Sequence, residues 1–370
     1  MHILHLQTLA LSNFRNYAYA RLEVSPAPIV LLGANGAGKT NILEAISLLT
    51  PGRGIRRAKI TDMDKAGSPA PWAIAAELTG EQGEVSVGTG READTDKRIV
   101  KIDGKMARAQ TDLGQILAVL WLTPQMDNLF IEGNSERRRF IDRLVFSFDS
   151  EHAARVNAYE QVMRERNRLL QNGNSDGYWF AALEQKMAEN AVAIAVARSH
   201  TIDHLNNAMQ LSTSPFPKAH IALSGETETL LAQGPALAAE EQLKELLRMN
   251  RAQDAGAGRC LIGIHRTQVD VLHMGKQMAA ELCSTGEQKA VLISIILAQA
   301  RAGALWHGHV PVLLLDEVAT HLDISRREAL FAELTAIGAQ SWLTGTDRNV
   351  FDGLEAQYFL VESGKVERSE

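Results

Sequence analysis

Two stretches of the chain hold residue types and spacings suited to phosphate chemistry. "GANGAGKT", Gly33 to Thr40, matches G-x-x-x-x-G-K-[ST] at every required position. A loop of this kind turns its backbone N–H groups inward at the start of a helix, where they cradle phosphate oxygens. Gly33 lets the chain leave a strand, Ala34 and Asn35 carry it round, and the amides of Gly36, Ala37, Gly38 and Lys39 form the cradle. Lys39 is expected to reach the β- and γ-phosphates of ATP, and the Thr40 hydroxyl to ligate Mg²⁺. "VPVLLLDEVATHLD", Val310 to Asp323, is the second piece. Its apolar run ends in Asp316-Glu317, which sets two carboxylates at the edge where α/β sheets bind ligands. Adjacent strand residues point to opposite sides. That divides the work: Asp316 holds Mg²⁺, commonly through water, and Glu317 polarises the attacking water. A solvated strand end is the alternative for this pair.

The elements that must position these groups are legible around them. "IVLL" before the loop reads as a buried strand, and "NILEAISLL" after it as a helix. Residues 72–103 read as strands and hairpins, with Gly and Asp at the turns. Pro124 marks a strand-to-loop change in "WLTPQMDNLF". After Gly133 the character turns helical. "NSERRRFIDRLVF" opens on an Asn/Ser start with Glu136 in its first turn, favoured there by the helix dipole. Val156, Tyr159, Met163 and Leu170, then Phe180, Leu183, Met187, Ile194, Ile202, Leu205 and Met209, mark two helices with a coiled-coil-like seam, broken by "QNGNSDG". They predict a short antiparallel hairpin whose arms, at ~1.5 Å per residue, reach roughly 30–50 Å. From Gly258 onward the pattern returns to strands and buried helices, "CLIGIHR" and "VDVLHM" among the strands. The fold class is α/β, interrupted by a helical arm. The expected division is 1–130 for the first part of a nucleotide-binding head, 131–255 for the arm and 256–370 for the rest of the head.

Composition narrows the setting. The chain has 370 residues and 45% hydrophobic content, enough for a substantial core in more than one lobe. Charged residues make up 22%, which argues against global disorder. Apolar stretches such as "VLISIILAQA" stop short of a bilayer span, and "MHILHLQTLA" lacks the features of a signal peptide. The expected location is the cytoplasm, without membrane partners. Cys260 and Cys283 cannot build a disulfide framework and form no CxxC for zinc. The net charge of −6 argues against a basic coat, but phosphate contacts need only a local basic patch.

Further motifs follow in a telling order. Gln125 in "TPQMD" comes after a strand, "STGEQ" leads into a helix, and "ATHLD" follows the acidic strand. Together with the phosphate loop they resemble the ABC-type ATPases, with a head of mixed sheet and helices. That resemblance implies that Gln125 joins Thr40 and Asp316 around Mg²⁺ and that Asp323 lies near the nucleotide. It also implies that Ser284 and Gly286 of the signature loop meet the ATP of a second molecule, in a dimer closed by two ATPs. Where transporter ATPases usually carry a switch histidine, the strand "SWLTG" leads into Thr344-Gly345-Thr346-Asp347.

A helical insertion between two halves of a head is similar to the SMC proteins and their relatives. The ordered set "LSNFRNY", "GANGAGKTNILEAI", "GRGIRRAK", "TPQMDNLFIEGNSERRRFID", "GIHR", "STGEQK", "LLLDEVATHLD" and "LTGTD" resembles the RecF family of bacterial recombination mediators across nearly the whole chain. The resemblance implies ATP-dependent dimerisation and ATP-dependent binding of double-stranded and gapped DNA, notably at duplex–single-strand junctions. It implies slow, DNA-stimulated ATP hydrolysis used as a switch. Cooperation with RecR, and with RecO in many bacteria, would load RecA, in support of replication restart and the SOS response. Ile264, Thr267 and Gln268 depart from the family pattern around "GIHR", and "GRGIR" lacks its usual Ser and Phe. By resemblance to SMC-like heads Arg15 approaches the nucleotide; an edge-strand arginine is the equal alternative. For DNA, the favoured basic residues are Arg56, Arg57 and Lys59, in a loop that follows the phosphate-loop helix. Solvated faces and internal salt bridges are the alternative for each basic cluster. A transporter ATPase subunit and an SMC-like chromosome protein remain the competing functions.

Overall fold

A computed structural model of the chain describes residues 5–80, 83–173, 176–307 and 310–369. The chain divides into two units: Met1–Asp127 with Leu211–Pro217 and Thr285–Glu370, and Asn128–Gln210 with Lys218–Ser284. Residues 256–284 thus lie with the helical unit, where the sequence pattern had suggested the head.

The first unit opens with a hairpin, β1 (His5–Phe14) and β2 (Tyr17–Glu23). Period-two burial marks the middle of β1, where Leu9 and Leu11 face the core and their neighbours do not; the alternation shifts at Asn13, φ 50°, and buries Phe14. Next come β3 (Ile29–Leu32), α1 (Lys39–Ser47), β4 (Ala73–Gly80), β5 (Gly83–Arg91), β6 (Arg98–Ile102), β7 (Lys105–Met106) and β8 (Val119–Leu122). β1, β2 and β4–β7 make an antiparallel sheet in the order β2-β1-β4-β5-β6-β7.

The second unit holds α2 (Asn134–Phe146), α3 (His152–Gln171), α4 (Gly177–Leu211), β9 (Ala219–Ser224), α5 (Glu226–Gln233), α6 (Ala236–Met249), α7 (Arg251–Ala257), β10 (Gln268–His273) and β11 (Met278–Ala279). α3 and α4 form the predicted hairpin. Every seam position named on α4 is buried, from Phe180 to Met209, as is Tyr159 on α3. Ala188, Ala191 and Ala195 join this core with Leu243 and Leu247 of α6. A buried cation keys the bundle. Arg166 of α3 donates to Glu184 of α4 at 3.0 Å, to Asp254 of α7 at 2.6 Å and to the Leu247 carbonyl at 2.7 Å. Replacing Arg166 with a neutral residue would leave the buried Asp254 without its counter-charge, at a cost of about 3–5 kcal/mol.

"CLIGIHR" is not a strand. Cys260 and Ile264 are buried, which produced the apolar pattern, but the chain turns through a short 3₁₀ segment at Ile264–Arg266. A Cβ on Gly263, at φ 128°, would stand 2.3 Å from the Tyr159 hydroxyl. Both ring nitrogens of His265 are spent locally, on the Cys260 carbonyl at 3.0 Å and the Tyr159 hydroxyl at 2.8 Å. Of the departing residues, the Thr267 hydroxyl reaches Glu228 at 2.7 Å and Ile264 is buried.

The chain finishes in the first unit with α8 (Thr285–Ala302), β12 (Val312–Leu315), α9 (Ile324–Ile337), β13 (Ser341–Gly345), β14 (Gln357–Glu362) and β15 (Lys365–Ser369). These strands join β3 and β8 in a second sheet, ordered β15-β14-β3-β13-β12-β8. β15 runs antiparallel to β14 and the other pairs are parallel. β3 and β12 are buried along their whole length, as continuous apolar runs require inside a covered parallel sheet. One buried cluster joins both sheets and α1 through Leu9, Leu11, Ile42, Ile46, Leu78, Leu314 and Trp342. Register decides where the chemistry sits. Leu32 pairs with Gly345, and Leu315 pairs with Leu343 and Leu122, so β3, β13, β12 and β8 release their loops at one carboxyl edge. Among the described residues no helix is long and apolar enough to cross a membrane.

Candidate nucleotide site

The phosphate loop leaves β3 at Gly33, where any side chain is excluded: a Cβ would lie 2.3 Å from the Val361 carbonyl oxygen. The Ala37 N–H closes a turn onto the Ala34 carbonyl at 3.2 Å. Gly38, at φ 118°, passes under the β1–β2 turn, and a Cβ there would meet the Asn16 amide at 2.5 Å. Asn16 Nδ2 donates to the Ala37 carbonyl at 2.9 Å and the Tyr17 hydroxyl to the Gly38 carbonyl at 3.0 Å. α1 begins at Lys39. Its first N–H groups have no acceptor within the helix, and its dipole favours an anion at this end.

Lys39 is buried at 5% exposure. Its Nζ donates to the Gly33 carbonyl at 2.6 Å and the Ala34 carbonyl at 2.9 Å. Burial pushes its ammonium below the ordinary lysine value, and the charges of Glu317 and Asp316 oppose that push. The lysine is therefore held inside the loop by carbonyls that a phosphate oxygen can replace as acceptor.

β12 delivers the two carboxylates to the same edge. The Thr40 hydroxyl lies 3.0 and 3.1 Å from the two Asp316 oxygens. Asp316 is buried. A hydroxyl and a carboxylate converging this closely are the hard oxygen donors that Mg²⁺ takes, so the residues present fit the ion. Thr344, at the end of β13, connects the pair. Its hydroxyl donates to Asp316 Oδ1 at 2.7 Å and accepts the Glu317 N–H at 2.9 Å. Glu317 sits half-buried at φ 53°, a left-handed conformation that costs a non-glycine residue roughly 1–2 kcal/mol. The turn after β12 thereby separates the acids: Asp316 faces Thr40, and the Glu317 backbone is clamped to Thr344.

The chain matches the RecF/RecN/SMC N terminal domain family over residues 5–366. It is 46% identical over 98% of its length to the DNA replication and repair protein RecF of Mesorhizobium japonicum, covering 97% of that protein. Against the RecF of Rhizobium leguminosarum bv. trifolii it is 45% identical, covering 99% of each chain. The chain belongs to the RecF family. The fold agrees. The structure of the recombination mediator protein RecF-ATPrS in the RecFOR pathway superposes with a TM-score of 0.87 at 22% identity, covering 99% of this chain and 98% of that one. The RecF-ATP structure superposes at 0.84 with 22% identity, covering 100% of each. An Smc head bound to the C-winged helix domain of ScpA matches more distantly, at 0.58 and 16% identity, covering 99% and 97%.

Within this RecF-family head, Gly33, Lys39, Thr40, Asp316 and Glu317 converge. Gln125 is exposed in the 3₁₀ turn Pro124–Asn128 that follows β8, at the same sheet edge. Asp323 caps α9, its carboxylate accepting the Arg326 N–H at 2.9 Å. Ser284 immediately precedes α8, and Gly286 lies in its first turn. Arg15 stands in the turn between β1 and β2. Its guanidinium takes both oxygens of Glu44, at 2.9 and 2.6 Å, and the Asp62 carbonyl at 2.7 Å. The reason is electrostatic: Glu44 is fully buried within α1, and a buried carboxylate demands a cation. Arg56 joins the same carboxylate at 3.3 Å and donates to Asn41 Oδ1 at 2.6 Å, while Arg57 and Lys59 are exposed. Sequence reading missed Asn16, Tyr17, Glu44 and the bridging role of Thr344. The signals available were "NY" beside Arg15 and a threonine where transporter ATPases carry histidine.

Proposed function

We propose that this chain is an ATP-dependent DNA-binding protein of recombinational gap repair, working as a nucleotide-gated clamp. The observation that supports it most is the convergence of Lys39, Thr40, Asp316 and Glu317 at one sheet edge in a chain of the RecF family. RecF relatives are named for DNA replication and repair, and solved ones carry ATP in the RecFOR pathway. Lys39 and the loop amides bind the phosphates. Thr40 and Asp316, with Gln125 nearby, would hold Mg²⁺, which when bound neutralises charge building on the phosphates. Glu317 orients and polarises the attacking water, and the slow, DNA-stimulated hydrolysis it supports serves as a switch. Ser284, Gly286 and Asp323 complete the ATP site of a second copy and close a homodimer. Exposed Arg57 and Lys59, with Arg56, supply donors to the phosphates of double-stranded DNA and of duplex–single-strand junctions. RecR, with RecO, then draws RecA to the gap, in the cytoplasm. Sizing the protein by light scattering with and without ATP, with gapped DNA present, tests this. Glu317→Gln should accumulate an ATP-bound dimer on DNA, because binding persists while water activation is lost. Monomer under every condition would refute it.

A further inference from the structure

The loop between α1 and β4 carries exposed basic side chains, yet it is tied to the phosphate loop by a chain of side chains pointing one way. Arg56 donates to Asn41 Oδ1 at 2.6 Å. Asn41 Nδ2 donates to Asn16 Oδ1 at 2.7 Å. Asn16 Nδ2 donates to the Ala37 carbonyl at 2.9 Å. The loop itself rides on α1: the Ile55 N–H donates to the Ser47 hydroxyl at 2.9 Å, and a Cβ on Gly54 would stand 2.9 Å from that hydroxyl.

The last bond has a geometric consequence. A trans peptide is planar, with its C=O and N–H pointing opposite ways. When Asn16 holds the Ala37 carbonyl outward, the Gly38 N–H is turned inward. Tyr17 does the same for the next unit: its hydroxyl fixes the Gly38 carbonyl, at 3.0 Å, and so aims the Lys39 N–H. These two amides are donors of the phosphate cradle. The loop also has a discrete change to make, since Lys39 must leave the Gly33 and Ala34 carbonyls to meet an anion.

We infer that Asn16 is a positioning residue for the phosphate cradle, and that Asn41 links it to the basic loop, coupling DNA engagement at Arg56 to nucleotide affinity. The inference rests on the reading above that the cradle takes ATP and the basic loop takes DNA. Arg56 drawn to a DNA phosphate loosens its hold on Asn41, frees Asn41 to reorient and resets the Asn16 bond that aims the Gly38 amide. Neither asparagine need touch nucleotide or DNA to act.

The test is equilibrium titration of the full chain with a fluorescent ATP analogue and Mg²⁺, with and without duplex DNA. The ratio of the two affinities is the coupling factor, and linkage requires the same factor in DNA affinity. The parent chain should show a factor of roughly fivefold or more. Asn41→Asp keeps an acceptor for Arg56 and loses the donor to Asn16, so the factor should fall to near unity, as it should in Asn41→Ala. Asn16→Ala should weaken the analogue roughly two- to tenfold even without DNA, the worth of one lost bond to a backbone carbonyl. Asn16→Ser is the smaller change should the alanine variant melt early. A parental coupling factor in Asn41→Asp overturns the link, and undiminished analogue affinity in both Asn16 variants overturns the positioning role. A parent chain that binds the analogue but not DNA sinks the DNA reading instead, and the coupling with it.

Discussion

Thr344→Val isolates what the clamp between the two carboxylates is worth. Valine keeps the shape and loses the hydroxyl, at a position with no exposure to solvent. Asp316 Oδ1 retains Thr40 as a partner, at 3.1 Å. The loss therefore falls on the Glu317 N–H, which gives up its 2.9 Å acceptor. That bond opposes the left-handed strain at Glu317, roughly 1–2 kcal/mol, and a stranded donor adds about 1–3 kcal/mol. Part of this is relieved as the turn relaxes toward an ordinary conformation and moves the carboxylate away. A net loss of about 1.4–2.8 kcal/mol in holding Glu317 converts to a fall in hydrolysis of roughly ten- to hundredfold. Nucleotide affinity should change little, because the cradle lies on β3 and α1. Steady-state phosphate release beside equilibrium nucleotide binding measures the split, and Thr344→Ser, which keeps the hydroxyl, should restore turnover. Near-parental turnover in a folded Thr344→Val chain would refute the reasoning.

Two further outcomes bear on other parts of the molecule. Ser284→Arg should leave ATP binding by the single chain intact and abolish ATP-dependent dimers; sedimentation with ATP that still shows dimers would contradict a signature loop acting across two copies. In the arm, burial alone would raise the Asp142 pKa, but the hydrogen bonds and charges of His152 and Arg198 prevail and hold it below its ordinary 3.8. A depressed carboxyl contributes stability that is fully present above its unfolded value and is lost as pH falls through the folded one. Urea melts should therefore weaken below about pH 4. Asp142→Asn should cost about 3–5 kcal/mol at neutral pH, because Arg198 is left buried and unpaired; a cost well under this range would count against the assignment.

The chemistry was more legible than its supports. "GANGAGKT" and "LLLDE" announce themselves because their spacing is set by a ligand, and the apolar runs before each specify the parallel strands. The α3–α4 hairpin was legible for a related reason: a seam at helical spacing recurs over many turns. Asn16, Tyr17 and Thr344 were not, since a side chain that orients a backbone group distant in sequence obeys no period. The Arg15 position shows a second limit. Nothing in the sequence pairs it with Glu44, a buried carboxylate of α1 that lies 29 residues away and takes its guanidinium. "CLIGIHR" misled for a simpler reason, that burial without hydrogen-bond pairing looks the same as a strand in one dimension.

Arg166 gives the arm a mechanical property. A helix that slides past its neighbour moves in steps of one turn, about 5.4 Å. Such a step by α3 would carry the guanidinium away from Glu184, Asp254 and the Leu247 carbonyl together, stranding charge in a dry interior. The hairpin is thus locked in a single gear. Within this unit α3 cannot ratchet past α4 and α7, because every one-turn step breaks all three contacts of the guanidinium at once.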